Sequence, residues 1–216
     1  MSKFRVAHLS LFVAIQLAIL AGFVLAIVEG HWLDAFAVAC IMLLTLLPTL
    51  FQRRFHFFIP PEFELLVIIF VFSSLFLGEV RGYYLRFWWW DLVLHAGSAL
   101  LLGMLGFMLV YVLNEERQIQ LHMRPGFVAF FSFTFSLGVG ALWEIFEFGM
   151  DGIFGLNMQK SGLVDTMWDL IVDAAGALIV ALLGYVWIRS GTESFVSRWI
   201  AKFVQANPQF FERRQR

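Results

Sequence analysis

The stretch 127–148, FVAFFSFTFSLGVGALWEIFEF, decides the class of this chain. From Phe127 to Trp143 it carries no charged side chain. At 1.5 Å per residue a helix of this length crosses about 30 Å of hydrocarbon, so the stretch reads as a transmembrane helix. Its only charges, Glu144 and Glu147, come at the far end. Residues three apart share a helical face, and ionisable groups that persist in apolar runs usually mark function.

Working outward, five more runs have the same character, at about 8–28, 33–50, 63–78, 91–113 and 167–189. The expectation is an all-α integral membrane protein with six transmembrane helices. Composition agrees: 61% of residues are hydrophobic and 14% charged, against about 25% charged in soluble domains, and the mean hydropathy is +0.81. The 26 Phe and 8 Trp suit lipid contact and interfacial belts. Lys3 and Arg5 before the first run resemble the start of a signal peptide, but the run exceeds the roughly 7–15 residues of such a segment and reads as a span. The net charge of -1 says nothing about nucleic acid, and with no basic stripe to compete with the apolar bulk no nucleic-acid partner is expected. Cys40 is the single cysteine, which excludes an intrachain disulfide and a thiolate metal cluster.

Lys and Arg set the expected orientation. Lys3 and Arg5, Arg53 and Arg54, Arg117 and Arg124, and Arg189, Arg198, Lys202, Arg213, Arg214 and Arg216 fall on one side. The other side has Glu29 and Asp34, then Arg81 and Arg86 beside Glu79, then Lys160 beside Asp151 and Asp165. Both termini are therefore expected in the cytoplasm, with the chain a multi-pass protein of a bacterial inner membrane. Residues 1–190 read as a single six-helix transmembrane domain and 191–216 as a cytoplasmic amphipathic tail. In that tail Phe195, Val196, Trp199, Ile200 and Phe203 share one face, with Arg198 and Lys202 off it, as in a helix lying in the membrane plane. A frayed basic end follows from about Asn207. Pro60–Pro61 and Pro125–Gly126 mark helix starts, and the connection 149–166, with Gly149, Gly152, Gly155 and Gly162, is a candidate lid.

Three helical stretches bring chemistry to one level: Asp91 and His95, Glu144 and Glu147, and Asp165, Asp169 and Asp173. Spacings of three and four keep each set on one face. Small residues continue those faces: Gly140, Ser136 and Ser132 from Glu144; Ala177 and Ala181 from Asp173; Ser98, Ala99, Gly103 and Gly106 from His95. Small residues mark close helix contact in membranes, so the carboxylates are expected to look into the bundle. Counted along their helices, all seven groups fall near the extracytoplasmic boundary.

Six carboxylates and one imidazole in one layer need compensation by protons, basic side chains such as Arg81, Arg86 and Lys160, or a metal ion. Oxygen donors with one imidazole suit Mn, Fe or Zn, and an all-oxygen subset suits Mg or Ca. The expected divalent metal ligands are Asp91, His95, Glu144, Glu147, Asp165, Asp169 and Asp173, with Asp165 and Asp169 also candidates for catalysis as general base. Three readings stay open: a metal-dependent enzyme acting on a lipid-proximal or periplasmic substrate, a proton- or cation-coupled transporter, and a structural assembly. The expected partners are the lipid bilayer and a small-molecule or ion ligand, and a homo-oligomer is compatible with the sequence. Simpler roles stand beside these. Asp91 and Asp165 can cap their helices, with Trp88, Trp89 and Trp90 as an interface belt. Asp151 reads as a solvated loop residue. His8, His31, His56 and His122 read as interfacial, and Glu62 and Glu64 as first-turn acids favoured by the helix dipole.

With Trp90-Asp91 and His95, Trp143-Glu144 and Glu147, and Asp165-Thr166-Met167-Trp168-Asp169, the region 83–185 resembles the DUF2238, or YjdF-like, family of bacterial inner-membrane proteins. The approach to Asp165, KSGLV, departs from the glycine- and aspartate-bearing pattern of that family. The resemblance implies a multi-span fold and a shared site, and carries no activity with it.

Overall fold

A computed structural model describes residues 3–55, 58–115, 123–192 and 195–207. Every regular element among them is helical, and six helices are long and apolar enough to cross a membrane. The six apolar runs of the sequence each coincide with one of these. The chain divides into two compact units, Met1–Trp90 and Asp91–Arg216.

The first unit contains α1 (Lys3–Val28), α2 (Trp32–Phe55), α3 (Pro61–Val71) and the short α4 (Tyr83–Arg86). Gly30, at φ 74°, makes the tight turn from α1 to α2, a backbone conformation that costs glycine little. Ile15, Ile19, Val38, Ile41, Ile68 and Phe76 form the core. One polar bridge crosses it, with Gln16 Nε2 donating to Thr45 Oγ1 at 2.9 Å. Glu62 and Glu64 lie in the first turn of α3, where Glu64 accepts from the Thr49 hydroxyl at 2.7 Å. Beyond Val71 the helix widens into a π-helical stretch, Phe72–Val80, which apolar periodicity does not announce. Tyr84 of α4 packs on it: its Oη lies 3.0 Å from Ser74 Oγ, and its ring fills the space a Cβ on Gly78 would need.

The second unit contains α5 (Trp90–Glu115), α6 (Pro125–Phe154), α7 (Leu163–Ser190) and α8 (Phe195–Ala206). Small residues set its spacing, as the sequence suggested. Ser132 and Ser136 on α6 donate to the carbonyls of Gly103 and Ala99 on α5 at 2.8 and 2.9 Å. Gly176 on α7 sits against Ala99, and Gly184 against the ring of the fully buried Phe107. Ala177 and Ala181 are buried beside them.

Three expectations need correction. The connection between α6 and α7 runs over 155–162, not 149–166, because α6 continues through Gly149 and Gly152 to Phe154. There Gly155, at φ 65°, donates its N–H to the Asp151 carbonyl at 3.0 Å and closes the helix. Asp151 is accordingly not a free loop residue. It is half-buried in the last turn of α6, and its carboxylate accepts the N–H groups of Met158 at 2.7 Å and Gln159 at 2.9 Å, pinning the connection. Ser197 and Ile200 in α8 are buried, as is Asn207 just after it, so of the expected apolar face Ile200 is fully covered while Trp199 and Phe203 are half-buried. Asn207 is buried, not frayed, and its Nδ2 donates to the Phe203 carbonyl at 2.8 Å. The basic end at 208–216, His56 and His122 lie outside the described residues.

Candidate functional site

The ionisable layer is built by three helices of the second unit. α5 and α7 begin at it, with Asp91 and Asp165 in their first turns, and α6 contributes Glu144 and Glu147 near its end. Asp165 is not the cap of α7, since Gly162 occupies that position, and Asp91 follows Trp90 inside α5. Their one-turn spacings carry His95, Asp169 and Asp173 inward on the same faces. Residual exposure is 7% for His95, 4% for Glu144, 7% for Glu147 and 1% for both Asp169 and Asp173.

His95 organises the layer. Its Nδ1 faces both oxygens of Asp173, at 3.3 and 3.4 Å. Gly140 makes this possible, because a Cβ there would overlap the Asp173 carboxylate. An imidazole whose Nδ1–H is held by a carboxylate presents its Nε2 lone pair in a fixed direction. Here Nε2 points to Glu144 Oε1 at 3.7 Å and Asp91 Oδ1 at 3.9 Å, distances too long for hydrogen bonds. The other Asp91 oxygen accepts from Lys160 Nζ at 2.6 Å.

Two groups of donor atoms converge, His95 with Glu144 and Asp169, and Asp91 with Asp165 and Asp169. Within each group one donor atom per residue lies within 4.8 Å of the others. Asp169 belongs to both. Both Glu144 oxygens, Asp169 Oδ2 and Asp165 Oδ2 are buried without a hydrogen-bond partner. The Thr166 hydroxyl lies close to Glu144 and accepts from Gln159 Nε2 at 2.7 Å. Buried carboxylate oxygens left without donors are costly.

All seven residues singled out in the sequence lie in this layer, and five of them form the two converging groups. Asp173 and Glu147 stand outside those groups. Asp173 holds His95, and Glu147 accepts from Trp143 Nε1 at 2.8 Å. Arg81 and Arg86 are exposed residues of the first unit. His31 is 61% exposed and lies 3.6 Å from Glu29 and Asp34, a peripheral position. Sequence reading placed Asp151 in a solvated loop and overlooked Gln159. The position of Asp151 four residues before Gly155 was the available signal, since a helix-ending glycine puts that residue in the last turn.

Residues 11–190 match the sequence model of a family described as predicted membrane protein (DUF2238). The chain is 30% identical over 140 residues to an uncharacterised protein of Thermotoga maritima, covering 64% of this chain and 69% of that one. No solved structure matches. With six membrane-length helices and a family match across nearly all of them, this chain belongs to the DUF2238 family of predicted membrane proteins.

Proposed function

We propose that the protein holds a divalent cation among His95, Glu144 and Asp169, near the extracytoplasmic face of a bacterial inner membrane. The cation would serve hydrolytic chemistry on a lipid-proximal or periplasmic substrate. The observation that carries this reading is the pair of buried carboxylates, Glu144 and Asp169, with donorless oxygens beside an imidazole nitrogen whose ring is anchored from behind by Asp173. A tetrahedral ion with bonds of about 2.0–2.2 Å holds its donors about 3.3–3.6 Å apart. The 3.7 Å between His95 Nε2 and Glu144 Oε1 needs only a few tenths of an ångström of closure to match. One nitrogen with oxygen donors favours Mn, Fe or Zn over Mg or Ca. A bound cation of this kind acidifies water and polarises an ester or phosphoryl oxygen. Asp165, with a buried oxygen free of donors, is placed to accept a proton.

A relay of protons or cations through the same groups is the competing reading. It is disfavoured by what lies beyond Asp173. From Ala96 to Asn114, from Pro125 to Trp143 and from Ala174 to Ile188 these helices carry no Asp, Glu, His, Lys or Arg. At 1.5 Å per residue that leaves about 20–28 Å without an ionisable step.

Elemental analysis of protein purified without chelator tests the proposal. Close to one transition-metal ion per chain is expected, with the content falling at least tenfold in Glu144→Gln. Absence of metal from the wild type, persisting after incubation with Mn, Fe or Zn, would refute it. Metal-dependent ion flux in proteoliposomes would replace the enzyme with the transporter.

A further inference from the structure

We propose that Lys160 is a tethered cation occupying the second half of a two-cation centre, so that the protein binds one metal ion where its carboxylates have room for two. This inference rests on the metal reading above and adds what limits its stoichiometry. The Asp91–Asp165–Asp169 group has the same convergence of donors as the His95 group and shares Asp169 with it. A carboxylate common to two such groups is the arrangement that bridges paired metal ions. Its Asp169 Oδ2 is buried without a donor on a residue 1% exposed, so the group is not satisfied internally.

What distinguishes this half of the layer is the ammonium group. Lys160 Nζ lies 2.6 Å from Asp91 Oδ2, with the two side chains 26% and 13% exposed. It is held there from the backbone side. Asp151 accepts the N–H groups of Met158 and Gln159, the two residues before Lys160. Gln159 Nε2 then ties the connection to Thr166 in the first turns of α7. A lysine on a pinned connection differs from one reaching to solvent, because little chain entropy is left to lose in holding the contact. The positive charge stands on a carboxylate that a second ion would need, and like charges at such range exclude each other.

Titration of the full chain in detergent with Mn(II), read by elemental analysis and electron paramagnetic resonance, decides the matter. The wild type should bind one ion with an uncoupled signal. Lys160→Met should bind a second ion about 100-fold or more tightly than the wild type does, with spin coupling through Asp169. Lys160→Arg, which keeps the charge, should remain at one. Asp151→Ala loosens the connection without altering the layer and should also admit a second ion, more weakly than Lys160→Met. It decides the question alone if Lys160→Met does not fold. One ion in every variant overturns the role of Lys160 and leaves the metal reading standing, as does a wild type that already binds a coupled pair. No ion in the wild type or in any variant overturns both.

Discussion

Gly140→Ala isolates the contact that orients His95. A Cβ at position 140 would fall on the Asp173 carboxylate, 3.0 Å from its Cγ and 3.5 Å from its Cβ. The obstructed group is the end of a side chain, so Asp173 can rotate away without moving α7. The alanine also gains about 0.5–1 kcal/mol of helix preference over glycine, which offsets much of the steric cost. Stability should therefore change little. What is lost is the 3.3 Å contact to Nδ1. Loss of a carboxylate behind a metal-binding histidine typically lowers metal affinity about 10–100-fold, or about 1.4–2.8 kcal/mol. Gly138 supplies the control, since it lies on the same helix with nothing within 4 Å of its Cβ position. Competition between the protein and a chromophoric chelator for Zn(II) measures the affinities, and circular dichroism with a thermal melt monitors the fold. Gly138→Ala should match the wild type in affinity. Equal affinity in Gly140→Ala and Gly138→Ala, with both folded, would refute the role of Asp173.

Two further outcomes follow from the packing of the second unit and a third from the proposed cation. Gly184→Ala drives a methyl group into the Phe107 ring, which is fully buried and flanked by Tyr111 and Trp187 at 6.3 and 6.2 Å. An overpacked core site costs about 1–3 kcal/mol, so a lowered melting temperature is expected, and an unchanged one would contradict the packing described. Ser132→Ala and Ser136→Ala each remove one hydrogen bond between α6 and α5. Such bonds average about 0.6 kcal/mol in membranes, so the double variant should lose about 1.2 kcal/mol; a loss beyond about 3 kcal/mol in detergent melts would be incompatible with this account. If the proposed cation is bound, a chelator should lower the melting temperature of the wild type, because a ligand at about 100 times its Kd adds about 2.7 kcal/mol, and should leave Glu144→Gln unaffected.

Much of the second unit was legible in the sequence because its periodicities are strong. Gly140, Ser136 and Ser132 mark the buried stripe of α6 at intervals of four, and Ala177 and Ala181 do the same on α7. A stripe fixes which side of a helix faces its neighbours. It does not fix the rotation of one stripe against another, so the sequence could collect His95 and Asp173 into one layer but not pair them while leaving Glu144 and Asp169 without donors. Helix ends were harder to place. Gly149 and Gly152 resemble loop residues, yet Asp151 between them bonds the far side of the connection, a long-range contact that outweighs a local preference of about 1 kcal/mol per glycine. The π-helical Phe72–Val80 stretch left no trace in hydropathy, because widening a turn by one residue preserves apolar character while shifting which side chains share a face.

The pairing of His95 with Asp173 spans 78 residues of sequence, and this sets an order on biosynthesis. α5 and α6 leave the ribosome before Asp173 exists, so their acids and imidazole enter the membrane without the partners that later surround them. Their position near helix ends makes this tolerable, since a charge close to the interface can reach water while one at the bilayer centre costs about 2.5–3.5 kcal/mol or more. The last long helix thus completes the ionisable layer as it inserts. Chains interrupted before Leu163 would carry the acids of α5 and α6 without the carboxylates that α7 supplies.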